Sequence, residues 1–307
     1  MTLLLFVEQT LNGLQLGVML FLMSAGLTLV FGIMGMINLA HGSLYMMGAY
    51  FAAALLSWTG SFLLAVPLAV LGTLALGIAV EFAVLRTLYA RDHLDQVLAT
   101  FGLILFFNEA VRLLFGAAPL YLNLPPALSG HVEIVPGAPY PVYRVAIIGV
   151  GLAVAAALYV LVQRTRAGAL IRAGASNREM VGALGINIPR LFTLVFGLGA
   201  ALAGLGGAIA GPIVSVQTGM GEEILILAFV VIVVGGIGSV RGAFFAALAI
   251  GVLDTMGRSF LREALALVLP RAAAETAGPT LASMLIYVFM AAILFFRPQG
   301  LFPPKAR

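Results

Sequence analysis

Between Glu8 and Glu81 the chain runs for 72 residues without a formal charge. A soluble fold cannot hide such a run, because contiguous exposed apolar surface beyond a few hundred Å² drives association. In hydrocarbon the same run is what a chain needs, since a spanning helix takes about 20 apolar residues at ~1.5 Å each. The chain as a whole agrees: of its 307 residues 62% are hydrophobic and 9% charged, where about a quarter charged is usual for a soluble domain. The fold class expected is all-α, a polytopic membrane helix bundle of about eight to ten transmembrane or re-entrant helices.

Composition also removes whole classes of chemistry. The single lysine is Lys305, next to Pro304, so no glycine-rich loop ends in Gly-Lys to cradle a nucleotide phosphate. ATP hydrolysis by this chain is therefore excluded, and no cofactor is expected in it. There is no cysteine, which removes thiolate metal sites and disulfides. His41, His93 and His131 are far apart and form no His-Glu-x-x-His pattern, so neither a metal site nor a catalytic residue is expected. A net charge of +4 spread over apolar spans builds no basic face for nucleic acid.

Apolar runs place spans near 10–33, 42–57, 61–85, 96–115, 144–163, 191–212, 224–240, 242–258 and 279–296. The segments 42–57, 224–240 and 242–258 are short, with glycine corners around them, so they read either as ordinary spans with tight turns or as broken helices. With the C-terminus inside, eleven of the sixteen Lys and Arg residues fall on the cytoplasmic side, five of them in the loop 164–190, as the positive-inside rule requires. Nine spans put the N-terminus outside; a re-entrant 42–57 would bring it inside. No hydrophilic stretch is long enough for a separate soluble domain, so residues 1–307 read as one membrane domain with a cytoplasmic loop, 164–190, and a proline-rich external loop, 116–143.

Within the cytoplasmic loop, Ser176 and Glu179 have capping-box spacing, and Gly185 followed by Pro189 marks a stop. A two-turn helix is expected over about 177–184, with Val181 and Leu184 on one apolar face. So short a helix is marginal alone and must be held by its own domain or by a partner. Inside the spans, Asn12 and Gln15 share a face of the first helix, and Asn38 and His41 share one if that corner is helical; polar groups in hydrocarbon either pair or line a wet path. These four are the candidates for a substrate path, with a capping or structural hydrogen bond the alternative for His41. Glu109 with Arg112, and Asp254 with Arg258, are spaced to neutralise each other on one helix, and Glu81 is expected to snorkel or to pair with Arg86. Small residues four apart, Gly13/Gly17, Gly207/Gly211 and Gly238/Gly242, indicate close helix packing.

Four stretches carry a family resemblance. Residues 37–50, Ile-Asn-Leu-Ala-His-Gly-Ser-Leu-Tyr-Met-Met-Gly-Ala-Tyr, resemble the early signature of LivH-type permeases of branched-chain amino acid ABC importers. Residues 177–187 (Asn-Arg-Glu-Met-Val-Gly-Ala-Leu-Gly-Ile-Asn), 235–239 (Gly-Gly-Ile-Gly-Ser) and 297–302 (Arg-Pro-Gln-Gly-Leu-Phe) resemble its later ones. The resemblance implies a bacterial inner-membrane transport subunit, not an enzyme. It implies pairing with a second, homologous permease of the LivM type, two cytoplasmic ABC ATPases that use ATP and Mg, and a periplasmic solute-binding protein. It assigns ATPase coupling to Ser176, Asn177, Arg178, Glu179, Val181, Leu184, Gly185 and Asn187, which would sit in an ATPase cleft. Related members carry urea or amides, so the solute is a branched-chain amino acid or another small polar solute. An ion-coupled secondary transporter is the rival class; it would want acids at mid-membrane, whereas the acids here read as lying near span ends.

Overall fold

The structure is a computed structural model and describes residues 3–302; Lys305 and Arg307 of the basic tail lie outside the described residues. In chain order the helices are α1 (Leu3–Met34), α2 (His41–Thr59), α3 (Phe62–Val80), a π turn (Glu81–Leu85), α4 (Arg86–Leu88), α5 (His93–Phe115), α6 (Val142–Arg164), α7 (Arg166–Ser176), α8 (Arg178–Ala183), α9 (Ile188–Ala210), α10 (Met220–Gly235), α11 (Val240–Leu265) and α12 (Arg271–Phe296). Nine of them fall on the nine apolar runs of the sequence. Seven stretches, with α3 counted through to Leu88, are long and apolar enough to cross a membrane; α2 and α10 are not among these.

Helix α1 is the buried axis, flanked by α9, α10, α11 and α6. Its glycines set the packing. Gly13 and Gly17 lie directly against the backbone of α11 at Gly251–Val252 and Ala247–Leu248, and Gly26 lies against Gly199 of α9. Without side chains between them, helices approach closely and gain dispersion contacts that hydrocarbon cannot supply. Gly207 does the same against Tyr45 of α2, and Gly242 against Gly235. The glycine pairs of the sequence therefore close this bundle on itself.

Two crossings are broken. Residues 35–38 are irregular, with Gly35 at φ +64°, so Asn38 and His41 do not share a helical face as the sequence reading allowed. Helix α2 begins only at His41, whose ring lies against Gly26. Gly26 in turn packs on Gly199, the twelfth of the 23 residues of α9. The first turn of α2 thus sits beside the middle of a spanning helix. Gly42 in that turn packs backbone to backbone on Gly221, so the start of α10 lies at the same depth, reached by the irregular stretch after Gly211.

The loops rich in arginine converge at one end of the bundle. Gly174 of α7 packs on Ile33 and Leu191, and Gly32 faces Gly238. There the segment 297–302 closes the end of α10: the Leu301 N–H donates to the Val234 carbonyl at 2.8 Å and the Phe302 N–H to Gly235 at 3.1 Å, satisfying acceptors that a helix C-terminus leaves free. At the opposite end the 116–143 loop forms an antiparallel hairpin, β1 (His131–Val135) and β2 (Ala138–Pro141), with Gly137 at φ +84° in its turn. A bridge from Leu120 to Val216 ties it to the loop after α9. The hairpin is the one element that prolines masked in the sequence.

Candidate functional site

The basic end carries α8. Its cap is Asn177 and not Ser176: the Asn177 side-chain oxygen accepts from the Met180 N–H at 2.9 Å, while Ser176 is the last residue of α7. The capping-box reading is therefore displaced by one residue, because α7, unforeseen from sequence, extends to Ser176. Gly185 does terminate the helix, at φ +86°; the Ile186 N–H reaches back to the Val181 carbonyl at 3.3 Å, the bond of a Schellman stop. Asn187 then caps α9, accepting from Arg190 N–H at 3.0 Å, with Pro189 in its first turn.

Val181 and Leu184 are not covered together. Val181 is 6% exposed and anchors α8, whereas Leu184 is 74% and Met180 59% exposed; the intervening 40° between positions 180 and 184 puts these two on one outward side. Arg178 and Glu179 are exposed beside them. An open cavity of about 690 Å³ adjoins α8, lined by Arg91, His93, Gln96, Asn177, Arg178 and Glu179 together with the end of α1.

Behind that cavity lies a buried carboxylate. Glu81 is fully buried and accepts from Arg86 at 3.2 Å, from the Thr193 hydroxyl at 2.8 Å and from the Tyr89 hydroxyl at 2.5 Å. Pairing with Arg86, five residues on, is possible because the chain makes a π turn there. Burial first, and then the bond to Glu81, push the Tyr89 phenol above its ordinary range, so it remains a donor. The network ties α3 to α9, and Thr193 and Tyr89 were not legible as its members. Removing the carboxylate leaves three donors without their acceptor, so Glu81→Ala is expected to cost about 3 kcal/mol. This is read as a fall of several degrees in the unfolding temperature of the detergent-purified protein; an unchanged transition would dismiss the network.

The candidate path residues separate. Asn12 is held near the hairpin: its side-chain oxygen accepts from Tyr140 at 3.1 Å and from Arg144. The Gln15 amide contacts the Met19 sulfur. Asn38 and His41 are fully buried, and neither has a hydrogen-bond partner. His41 does not cap α2, whose N-cap is Ala40; its ring lies beside the Met23 carbonyl without good bonding geometry. Thr28 and Ser43 are equally buried and unpaired. Beside the Gly42–Gly221 contact, the Asn108 amide nitrogen of α5 donates to one carboxylate oxygen of Glu222 at 2.5 Å, leaving the second carboxylate oxygen and the Asn108 amide oxygen without a partner among the described residues. Glu222 thus corrects the expectation that acids lie only near span ends: it opens α10, and α10 opens at mid-bundle. A glycine-flanked acid at the head of an apolar run was its only sequence signal. Glu109–Arg112 at 3.3 Å and Asp254–Arg258 at 2.8 Å pair as their spacing suggests.

Residues 9–294 match the family described as "Branched-chain amino acid transport system / permease component". The chain belongs to this family. It is 30% identical to the high-affinity branched-chain amino acid transport system permease protein BraD of Pseudomonas aeruginosa, over 96% of this chain and 95% of that one. Identity to the LivH permease protein of Escherichia coli is 32%, covering 83% and 87%. The ribose import permease protein RbsC of Escherichia coli is a more distant relative, 31% identical over 76% of this chain and 72% of that one. No solved structure matches. As a member of the family, the chain is a transport permease subunit, a multi-pass protein of the inner membrane.

Proposed function

We propose that this chain translocates branched-chain amino acids within an ATP-driven importer. In this reading it works beside a second, LivM-type permease, two cytoplasmic ATPases and a periplasmic binding protein. The solute follows from the relatives that match over most of their length, BraD and LivH. The ATP-driven part rests on one structural observation: α8, at the arginine-rich end, is capped at both ends yet turns Met180 and Leu184 outward. Apolar side chains exposed on a short, well-capped helix at the water-facing end are a surface made to be covered. Seated in an ATPase cleft, α8 would pass ATPase closure to α9 through Asn187 and to α1 through α7. Ser176, Arg178, Glu179, Val181 and Gly185 would hold or present it. ATP and Mg belong to the partner chains.

The test is to tag the protein, extract it gently from its native membrane and identify what accompanies it. A second hydrophobic permease and two phosphate-loop ATPases are expected in stable ratio. Recovery of the chain alone, with uptake surviving ATP depletion, would overturn the reading in favour of ion coupling. A finer check is Leu184→Asp, which is expected to lower ATPase co-purification at least tenfold while leaving membrane insertion intact, since Leu184 is largely exposed at the water-facing end.

A further inference from the structure

Two helix N-termini meet in the middle of this bundle, and both lack a side-chain cap. The first intrahelical bond of α2 is made by the Leu44 N–H to Ala40, so the N–H groups of Gly42 and Ser43 have no acceptor within the helix. A buried helix end without partners is costly and carries partial positive charge. Around it stand unpaired side chains: Asn38, His41 and Ser43 are no more than 2% exposed, and their side chains make no hydrogen bond among the described residues. Beside Gly221, which packs on Gly42, one carboxylate oxygen of Glu222 is buried and free, as is the amide oxygen of Asn108, which is hydrogen-bonded to Glu222 through its nitrogen. Uncapped backbone N–H groups thus lie at the α2 end, and two free side-chain oxygens lie at or beside the α10 end.

This is the complement of a zwitterion. We propose that the junction of α2 and α10 is where the permease itself holds its solute. The carboxylate sits at the N–H groups of Gly42 and Ser43 and the Ser43 hydroxyl. The ammonium sits at the free oxygens of Glu222 and Asn108. Broken helices at mid-membrane that turn N-termini toward an anionic group are a recurring way to bind solutes where side chains are scarce. In the present conformation the junction is shut, backbone against backbone at Gly42 and Gly221, so a solute enters only when the two helix ends move apart. The inference rests on the amino acid reading of the solute and names the site that serves it.

The experiment uses the whole complex, with its partner permease and ATPases, in lipid nanodiscs without the binding protein. Binding of radiolabelled L-leucine is measured for the wild type, Ser43→Ala and Glu222→Gln, in competition with 3-methylbutylamine and 4-methylpentanoate, which each lack one charge. Saturable leucine binding is expected, weakened at least tenfold in both variants, with neither analogue competing at hundredfold excess. A structural role predicts otherwise for Ser43→Ala: deleting a buried hydroxyl that has no partner is neutral or stabilising. Wild-type binding in both variants, or no leucine binding by a wild-type complex that still imports leucine with its binding protein, overturns the site. A complex that with its binding protein imports no branched-chain amino acid overturns the solute reading first, and the inference with it.

Discussion

Gly207→Val is expected to abolish recovery of folded protein. A Cβ at position 207 would overlap the Tyr45 carbonyl oxygen and crowd the backbone nitrogen of Ala49. The obstacle is backbone of another helix, and it cannot rotate out of the way. To admit valine, α9 and α2 must separate along their whole contact, and α3, packed on both, must follow. Overpacking of a tight core costs roughly 3 kcal/mol even where side chains can adjust; here they cannot, and total stability is only about 5–15 kcal/mol. The check is size-exclusion chromatography of a tagged protein in mild detergent, with Gly102→Ala as the control. Gly102 lies on α5 with open space where its side chain would be, so alanine there gains up to about 1 kcal/mol of helix propensity. Equal monodisperse yields from Gly207→Val and the control would refute the packing account.

Gly185→Val is expected to leave the bundle intact and stop transport. Nothing lies within 4 Å of where the side chain would go, so the effect comes from the backbone alone. At φ +86° a β-branched residue is strained by about 1–3 kcal/mol. A six-residue helix has no reserve against that, because helices this short are marginal without tertiary support, and α8 is anchored chiefly by Val181. The strain is relieved by unwinding the last turn, which moves Leu184 and Met180 out of register. Uptake by the assembled importer should fall at least tenfold, with normal amounts of protein in the membrane and ATPase activity no longer stimulated by loaded binding protein. Gly185→Ala should show a milder form of the same loss. Full uptake by Gly185→Val would remove α8 from the coupling route.

The positions of the nine long helices were legible because apolar length is a one-dimensional property: hydrocarbon thickness sets it and no partner is needed to read it. The stop at Gly185, the pairing of Glu81 with Arg86 and the two ion pairs were legible for a similar reason, since each depends on residues a few positions apart. The cap at Asn177 was read one residue early because local spacing cannot say where α7 ends. Val181 and Leu184 read as one apolar face because helical periodicity groups residues three apart, but only neighbouring elements decide what is covered, and they cover Val181 and leave Leu184 out. Asn108 and Glu222 are 114 residues apart in sequence and meet only because two crossings are broken at one depth.

Residue order was enough to show that this protein lies in a membrane, where its helices run and which family its motifs resemble. Tertiary structure alone decided that α2 and α10 begin at mid-bundle, that Gly42 meets Gly221 there, and that Asn108 of α5 is hydrogen-bonded to Glu222 beside that contact. The physical reason is that burial in hydrocarbon is set residue by residue along the chain, whereas a missing hydrogen-bond partner is a property of the three-dimensional surroundings.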